Sequence, residues 1–282
     1  MPSAQDIRRR IKSVKNIQQI TKAMKMVAAA RLRRAQEKAA ASRPYTEKIQ
    51  QVLASVAAHS REVAHPLLEV REVKRTVYLV LSSDKGLAGA YASNVFRELL
   101  PRITDKAATG IMAVGRKTRD YFRRRAYAID AEYTGFSEKP AYEHARTIAL
   151  DLVNRFKNGD CDEIYMVYTQ YFSPVNVKPA VVKLLPLDTS QTTGHSDADY
   201  LFEPSPEEVL GLLLPKYLET MIYGALLQAS ASELGSRMTA MGSATDNAEE
   251  LISKLILNYN KVRQATITRE ITEIVGGAEA LK

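Results

Sequence analysis

Apolar residues near the start of the chain fall at Ile7, Ile11, Val14, Ile17, Ile20, Met24 and Val27, in steps of four, three, three, three, four and three. These steps are helical. A strict heptad alternates three and four, so the run of threes predicts a stammer that locally overwinds a coiled coil. The same path continues through Leu32, Ala35 and Ala39 to Ile49, Val52 and Val56, and Pro44 is expected to kink the helix or end its first segment.

The other end of the chain carries a second long helix. Ser205, Pro206, Glu207 and Glu208 supply a capping serine, a proline at the first helical position and a glutamate three residues after the cap. From Leu234 a seam runs through Met238, Met241, Thr245, Ala248, Ile252, Leu255, Tyr259 and Val262, alternating steps of four and three without a break. Such a seam favours a coiled coil over the inner stripe of a globular helix. Pro215 should bend this helix early without ending it. Pairing the two helices with each other is the economical use of both stripes. The second is then longer by roughly 20 residues, or about 30 Å. That extra length keeps its own stripe, Ile267, Ile271, Ile274, Ala278 and Leu281, with nothing left in the chain to cover it. A stripe of this kind is a binding surface.

Between the helices the pattern changes to short apolar runs. Residues 76–81, 111–114, 164–168 and 181–185 read as buried strands, and helical stretches near 91–106, 116–125 and 140–158 separate the first three. Residues 186–204 are polar and read as a surface loop. The expected fold is α/β with a long antiparallel coiled coil, in which N- and C-terminal helices (1–60 and 205–282) flank a small Rossmann-like domain (75–200) with a mostly parallel sheet.

Candidate chemistry adds little to this frame. The turn Ser83-Asp84-Lys85-Gly86-Leu87-Ala88-Gly89 follows the first strand, where a phosphate loop would lie, but the dinucleotide fingerprint needs a third glycine. A structural turn or contact loop is the stronger reading. Gly110 to Thr118 nearly spells a Walker loop, yet its intervening residues are apolar and belong in a strand, whereas a phosphate loop needs free amides. Paired carboxylates such as Asp160 and Asp162, or Glu249 and Glu250, have no nucleophile beside them. His59, His65, His144 and His195 are scattered without metal-ligand spacing. No catalytic residue, metal or cofactor is expected.

Charge is distributed unevenly. Residues 1–50 hold 13 lysines and arginines against 3 acidic residues, a net of +10, whereas residues 207–282 hold 7 against 10, a net of −3. Opposite charge on the two ends favours their pairing. The cluster Arg8, Arg9, Arg10, Lys12 and Lys15 resembles a DNA-contacting basic region, but an apolar stripe runs through the same residues, so acidic protein partners are the better match and nucleic acid is not expected. Cys161 is the single cysteine, which excludes an internal disulfide and suits a reducing compartment. No uncharged apolar run reaches the ~18–20 residues needed to span a bilayer, so the chain is expected to be soluble and to meet a membrane only through partners.

Three segments carry a family resemblance: Ile7 through Ala30 at the start, Ser83-Asp-Lys-Gly-Leu-Ala-Gly89 in the middle, and at the end Arg237 to Asn247, Arg263-Gln-Ala-Thr-Ile-Thr268, Glu270 and Glu273 to Ala278. Together they resemble the gamma subunit of bacterial F-type ATP synthases, the last segment being the most specific. The resemblance implies a non-catalytic rotor shaft, one copy per complex, inside a ring of alpha and beta subunits. It also implies epsilon and c-ring partners and a peripheral place on the cytoplasmic face of the plasma membrane. By resemblance, Met24, Arg237, Gln264 and Thr268 meet the beta subunits. The loop with Asp84, Lys85, Gly86 and Gly89 lies near their acidic hinge, and Tyr200, Phe202 and Glu203 form a foot on the c ring. The tail stripe then sits in a hydrophobic sleeve. Ala88 and Ala92 depart from the cysteine and asparagine frequent in that loop. A single cysteine rules out the regulatory dithiol of the chloroplast form.

Overall fold

The structure, a computed structural model, describes residues 3–59, 65–187 and 205–280. Two long helices, α1 (Ala4–His59) and α5 (Pro206–Ala280), flank a five-stranded domain in sequence. The chain divides into two compact units, one formed by Met1–Val27 with Met238–Lys282, the other by Ala28–Arg237.

The first unit is an antiparallel helix pair. The hydroxyls of Thr21 and Thr245 meet at 2.9 Å, and the Lys25 side chain lies over Gly242. On α5 the expected seam holds: Met241, Ala248 and Ile252 are buried, and Met238, Thr245, Leu255, Tyr259 and Val262 are half-buried. On α1 the seam differs from the expectation. Ile17, Ile20 and Val27 are 50%, 59% and 51% exposed, whereas Ile7, Ile11, Val14, Gln18 and Thr21 are the covered positions. Their steps are four, three, four and three, and half-buried Met24 follows three residues on, so the successive threes fall at 18, 21 and 24 and not across 11 to 20 as expected. Thr21 takes a seam position opposite Thr245, whose hydroxyl it meets. The isoleucines are left outside.

Both helix starts are capped. Asp6 N–H donates to Ser3 Oγ at 3.2 Å and Glu208 N–H to Ser205 Oγ at 3.3 Å, each satisfying an amide with no partner inside its helix. Pro44 does not end α1, which runs on to His59; Ala40, whose carbonyl loses its amide partner there, is exposed.

The second unit contains the sheet. Its strands are β1 (Thr76–Leu81), β2 (Thr109–Val114), β3 (Ala128–Tyr133), β4 (Glu163–Ser173) and β5 (Asn176–Leu185), in the order β3-β2-β1-β4-β5. The first four are parallel and β5 is antiparallel to β4. Helices α2 (Tyr91–Leu99) and α3 (Arg116–Arg124) cover one face with Val95, Phe96, Leu99 and Phe122. Helix α4 (Tyr142–Asn158) and parts of α1 and α5 cover the other, burying Ile148, Leu152, Phe156, Ile49, Leu53, Leu214 and Leu218. Expected helix 91–106 stops at Leu99 and tightens into a single turn, because Pro101 has no amide for a further helical bond. Strand β3 escaped the hydrophobic pattern. It is an edge strand whose charges are paired, Asp130 accepting from Arg75 at 2.8 and 3.0 Å and Glu132 pairing with Arg123.

By length and composition alone, part of α5 is apolar enough to cross a membrane. Half of that apolar stretch is buried inside the protein, as for a core helix.

Candidate functional site

The β1–α2 loop is built around a buried carboxylate. Asp84 Oδ2 accepts from the amides of Gly135 at 2.9 Å and Ser137 at 3.1 Å, and Oδ1 from the amide of Arg116 at 3.2 Å. Burial pushes the Asp84 pKa up, but these three amides outweigh it and hold the group below the ordinary aspartate value. Asp84 is therefore a staple that ties the β1–α2 loop to the start of α3 and to the β3–α4 loop.

The Walker-like stretch is consumed in the same way. Gly115 N–H donates to Tyr133 O at 2.7 Å, Arg116 N–H to Asp84, and Lys117 N–H to Ser83 O at 3.0 Å. Gly115 has φ +95°, and a Cβ there would lie 2.4 Å from Ser82 O, so close backbone approach explains this glycine. These amides hold the fold together and do not face a ligand.

Beside Asp84 lies a cluster of five charges. Arg237, on α5, is only 5% exposed. Its guanidinium donates to Glu233 Oε1 at 2.6 Å, to Glu138 Oε1 at 3.2 Å and to Gly86 O at 3.3 and 3.4 Å. Glu138 also pairs with Arg31 of α1 and with Lys85 at 3.3 Å. Burial raises the Glu233 pKa, with Arg237 opposing it. Tyr91, at the start of α2, donates to Ala229 O at 3.1 Å, a second tie between this loop and α5. The structure thus brings together Asp84, Lys85, Gly86 and Arg237 from distant parts of the sequence. Lys85, Gly86 and Gly89 stay exposed, while Arg237 is taken up inside.

The remaining expected residues lie apart from this cluster. Gln264 and Thr268 sit one turn apart on α5, in a stretch exposed at every residue from Arg263 to Ala278. Ile267, Ile271, Ile274 and Val275 are 46%, 56%, 71% and 57% exposed there. Met24 is half-buried on α1. Tyr200, Phe202, Glu203 and Leu281 lie outside the described residues.

Sequence reasoning missed Glu138 and Glu233, the carboxylates that hold Arg237. An i, i+4 Glu233–Arg237 pair was the one available signal. Among the described residues no cluster of histidine, cysteine and carboxylate side chains has metal-binding geometry. Cys161 is fully buried, and burial pushes its thiol up to about 11, which makes it a core group.

The chain matches the ATP synthase family over residues 3–281. It is 48% identical to the ATP synthase gamma chain of Desulfitobacterium hafniense over all of both chains. It is 50% identical to that of Brevibacillus brevis, over 98% of this chain and 97% of the relative. Its fold resembles a chain in the central stalk and c-ring structure of the Tetrahymena thermophila mitochondrial ATP synthase, with TM-score 0.63, 25% identity, and coverage of 80% of this chain and 99% of that one. A chain of the Euglena gracilis mitochondrial ATP synthase shares the fold at TM-score 0.71 and 18% identity, over 99% and 94% of the two chains. With matches of this identity spanning both long helices and the sheet between them, the chain belongs to the ATP synthase gamma chain family.

Proposed function

We propose that this chain is the non-catalytic rotor shaft of an F-type ATP synthase, transmitting rotation between a membrane c ring and a catalytic alpha/beta hexamer. The observation that carries the reading is the exposed end of α5, where Ile267, Ile271, Ile274 and Val275 form an apolar stripe beyond the last covered seam residue, Val262. An apolar helix surface of that length needs an enclosure from outside the chain. The exposed Ile17, Ile20 and Val27 on α1 ask for the same.

In this reading the partners are the alpha, beta and epsilon subunits and the c ring, with one shaft per complex on the cytoplasmic face of the membrane. Met24, Gln264 and Thr268 face the beta subunits, Lys85 to Gly89 face their acidic hinge, and Tyr200, Phe202 and Glu203 meet the c ring. Arg237 acts on the beta subunits through the loop it holds, since its own guanidinium is committed to Glu233, Glu138 and Gly86. The test is copurification of the tagged chain with alpha and beta subunits, followed by proton pumping and ATP hydrolysis in the same membranes. A chain that copurifies with neither subunit is not this shaft.

A further inference from the structure

The hairpin that joins β4 to β5 touches both long helices. Its strands pair out to Ser173 and Asn176, with a register shift between Tyr171 and Ser173, and Pro174 and Val175 form the turn. The Asn176 N–H donates to Ser173 Oγ at 3.0 Å and closes the tip. On one side the hairpin meets α5 at Gly235, which is buried. A Cβ there would lie 3.2 Å from Pro174 Cα and 3.3 Å from Tyr171 Cε2. Glycine weakens the interior of a helix, so the close approach of the hairpin is the physical reason for one at this position. Nearly one turn earlier, Ser232 Oγ donates to Thr169 O at 3.1 Å, which ties the same stretch of α5 to the end of β4. On the other side, Gln36 of α1 donates through Nε2 to the Tyr171 hydroxyl at 2.9 Å. Tyr171 therefore reaches α1 and α5 at once.

A second bridge joins the same two helices. Glu138, in the β3–α4 loop, pairs with Arg31 of α1 and with Arg237 of α5. Gln36 follows Arg31 by five positions, and Arg237 follows Gly235 by two. At 3.6 residues per turn, positions two apart point about 160° from each other and positions five apart about 140°. The hairpin and Glu138 thus hold nearly opposite faces of each helix. A single contact lets a helix roll about it, whereas contacts on opposed faces resist rolling in either sense. All of these residues belong to the second unit, close to its bounds at Ala28 and Arg237.

We propose that the β4–β5 hairpin, with Glu138 opposite it, is a collar that locks α1 and α5 to the sheet against twisting, and that Gly235 is the positioning residue that seats it. The proposal rests on the shaft reading and names the contacts through which the sheet domain turns both helices together.

The test uses complexes purified through the tagged chain and arrested with a non-hydrolysable nucleotide. A gold rod is fixed to the exposed face of α4 through Leu150→Cys; Cys161 is buried and stays silent. The angular spread of the rod widens as torsional stiffness is lost. Gly235→Ala strengthens the helix itself but displaces the hairpin, so the spread should widen. Gly224→Ala, the same change on the same helix where a Cβ meets nothing within 4 Å, should leave it unchanged. Tyr171→Phe keeps the ring and loses only the Gln36 bond, so it should widen the spread by less. Gln36→Leu should match Tyr171→Phe, and Gln36→Glu, which can accept from the tyrosine hydroxyl instead, should stay close to the parent. If Gly235→Ala spreads no more than Gly224→Ala in a complex that retains alpha and beta subunits, the collar is overturned and the shaft stands. If Gly235→Ala does not assemble, the Tyr171 and Gln36 variants decide by the same comparison. Failure of the parent chain to copurify overturns the shaft reading itself.

Discussion

The β1–α2 loop and the exposed end of α5 both face outward, and they are prepared in opposite ways. The loop is braced from within: Asp84 holds it to the start of α3 and to the β3–α4 loop, Arg237 holds Gly86, and Glu138 gathers Arg31, Lys85 and Arg237. The end of α5 is tied only within itself among the described residues, by helix hydrogen bonds, the hydroxyls of Thr266 and Thr272 and the Arg269–Glu273 pair at 3.2 Å, with every residue from Arg263 to Ala278 exposed. A braced loop presents its contacts with little ordering cost on binding, whereas an unbraced helix depends on its partner for burial. Defects in the loop should therefore appear in the free chain, and defects in the tail only in the complex.

The largest effect expected in the free chain comes from Arg237→Ala. Removing the cation leaves Glu233, 1% exposed, without its partner, and breaking a buried pair in this way costs about 3–5 kcal/mol. The Glu233 pKa is already raised by burial, so protonation relieves the defect. The deficit measured by urea denaturation should shrink as pH falls below neutrality, and adding Glu233→Gln should restore part of it. A deficit independent of pH would mean that Glu233 is not the stranded group.

Next is Ala248→Pro, within the buried seam of the helix pair. Proline removes a backbone bond and clashes with the preceding turn, at ~3 kcal/mol or more. Its ring should also push apart helices that a small residue lets approach. Proton pumping and ATP synthesis should fall further than ATP hydrolysis in the same fully assembled membranes. Unchanged synthesis would show that the helix pair does not carry the load.

Asp84→Asn tests the loop staple. The amide keeps one acceptor oxygen and loses the other, so about 1–3 kcal/mol is expected from unmet buried donors. Because the folded pKa lies below the ordinary value near 3.8, the carboxylate's contribution is complete above that value and is lost as pH falls through the folded pKa. The parent chain should lose stability across this acid window more steeply than the variant.

Gln264→Ala, Thr268→Ala and Ile271→Ser should change the stability of the free chain by no more than ~0.5 kcal/mol, as for other exposed positions. Turnover of the assembled complex should nevertheless slow for the two polar variants, and Ile271→Ser should loosen assembly. If all three variants behaved as the parent in the complex, the exposed end of α5 would not be a contact surface.

Much of this architecture is legible from pattern alone. The α5 seam from Leu234 to Val262 was readable because its large apolar members bury themselves wherever a second helix exists. The parallel strands β1, β2 and β4 were readable because each is a short apolar run covered on both faces. Edge strand β3 was not, since half-exposed residues and paired charges leave no apolar run.

The loop also divides along this line. Its position after β1 follows from the sequence, but the burial of Arg237 depends on Glu138, 99 residues away, and no local spacing reveals such a partner.

The N-terminal helix shows the division most sharply. Its sequence determined that residues near 7–27 are helical, basic and able to offer an apolar stripe. Tertiary structure decided which face turns inward. Thr21 and Lys25 meet Thr245 and Gly242, while Ile17, Ile20 and Val27 stay outside. A helix's periodicity describes its own faces, but the face that is covered is set by the side chains opposite, and those come from the far end of the chain.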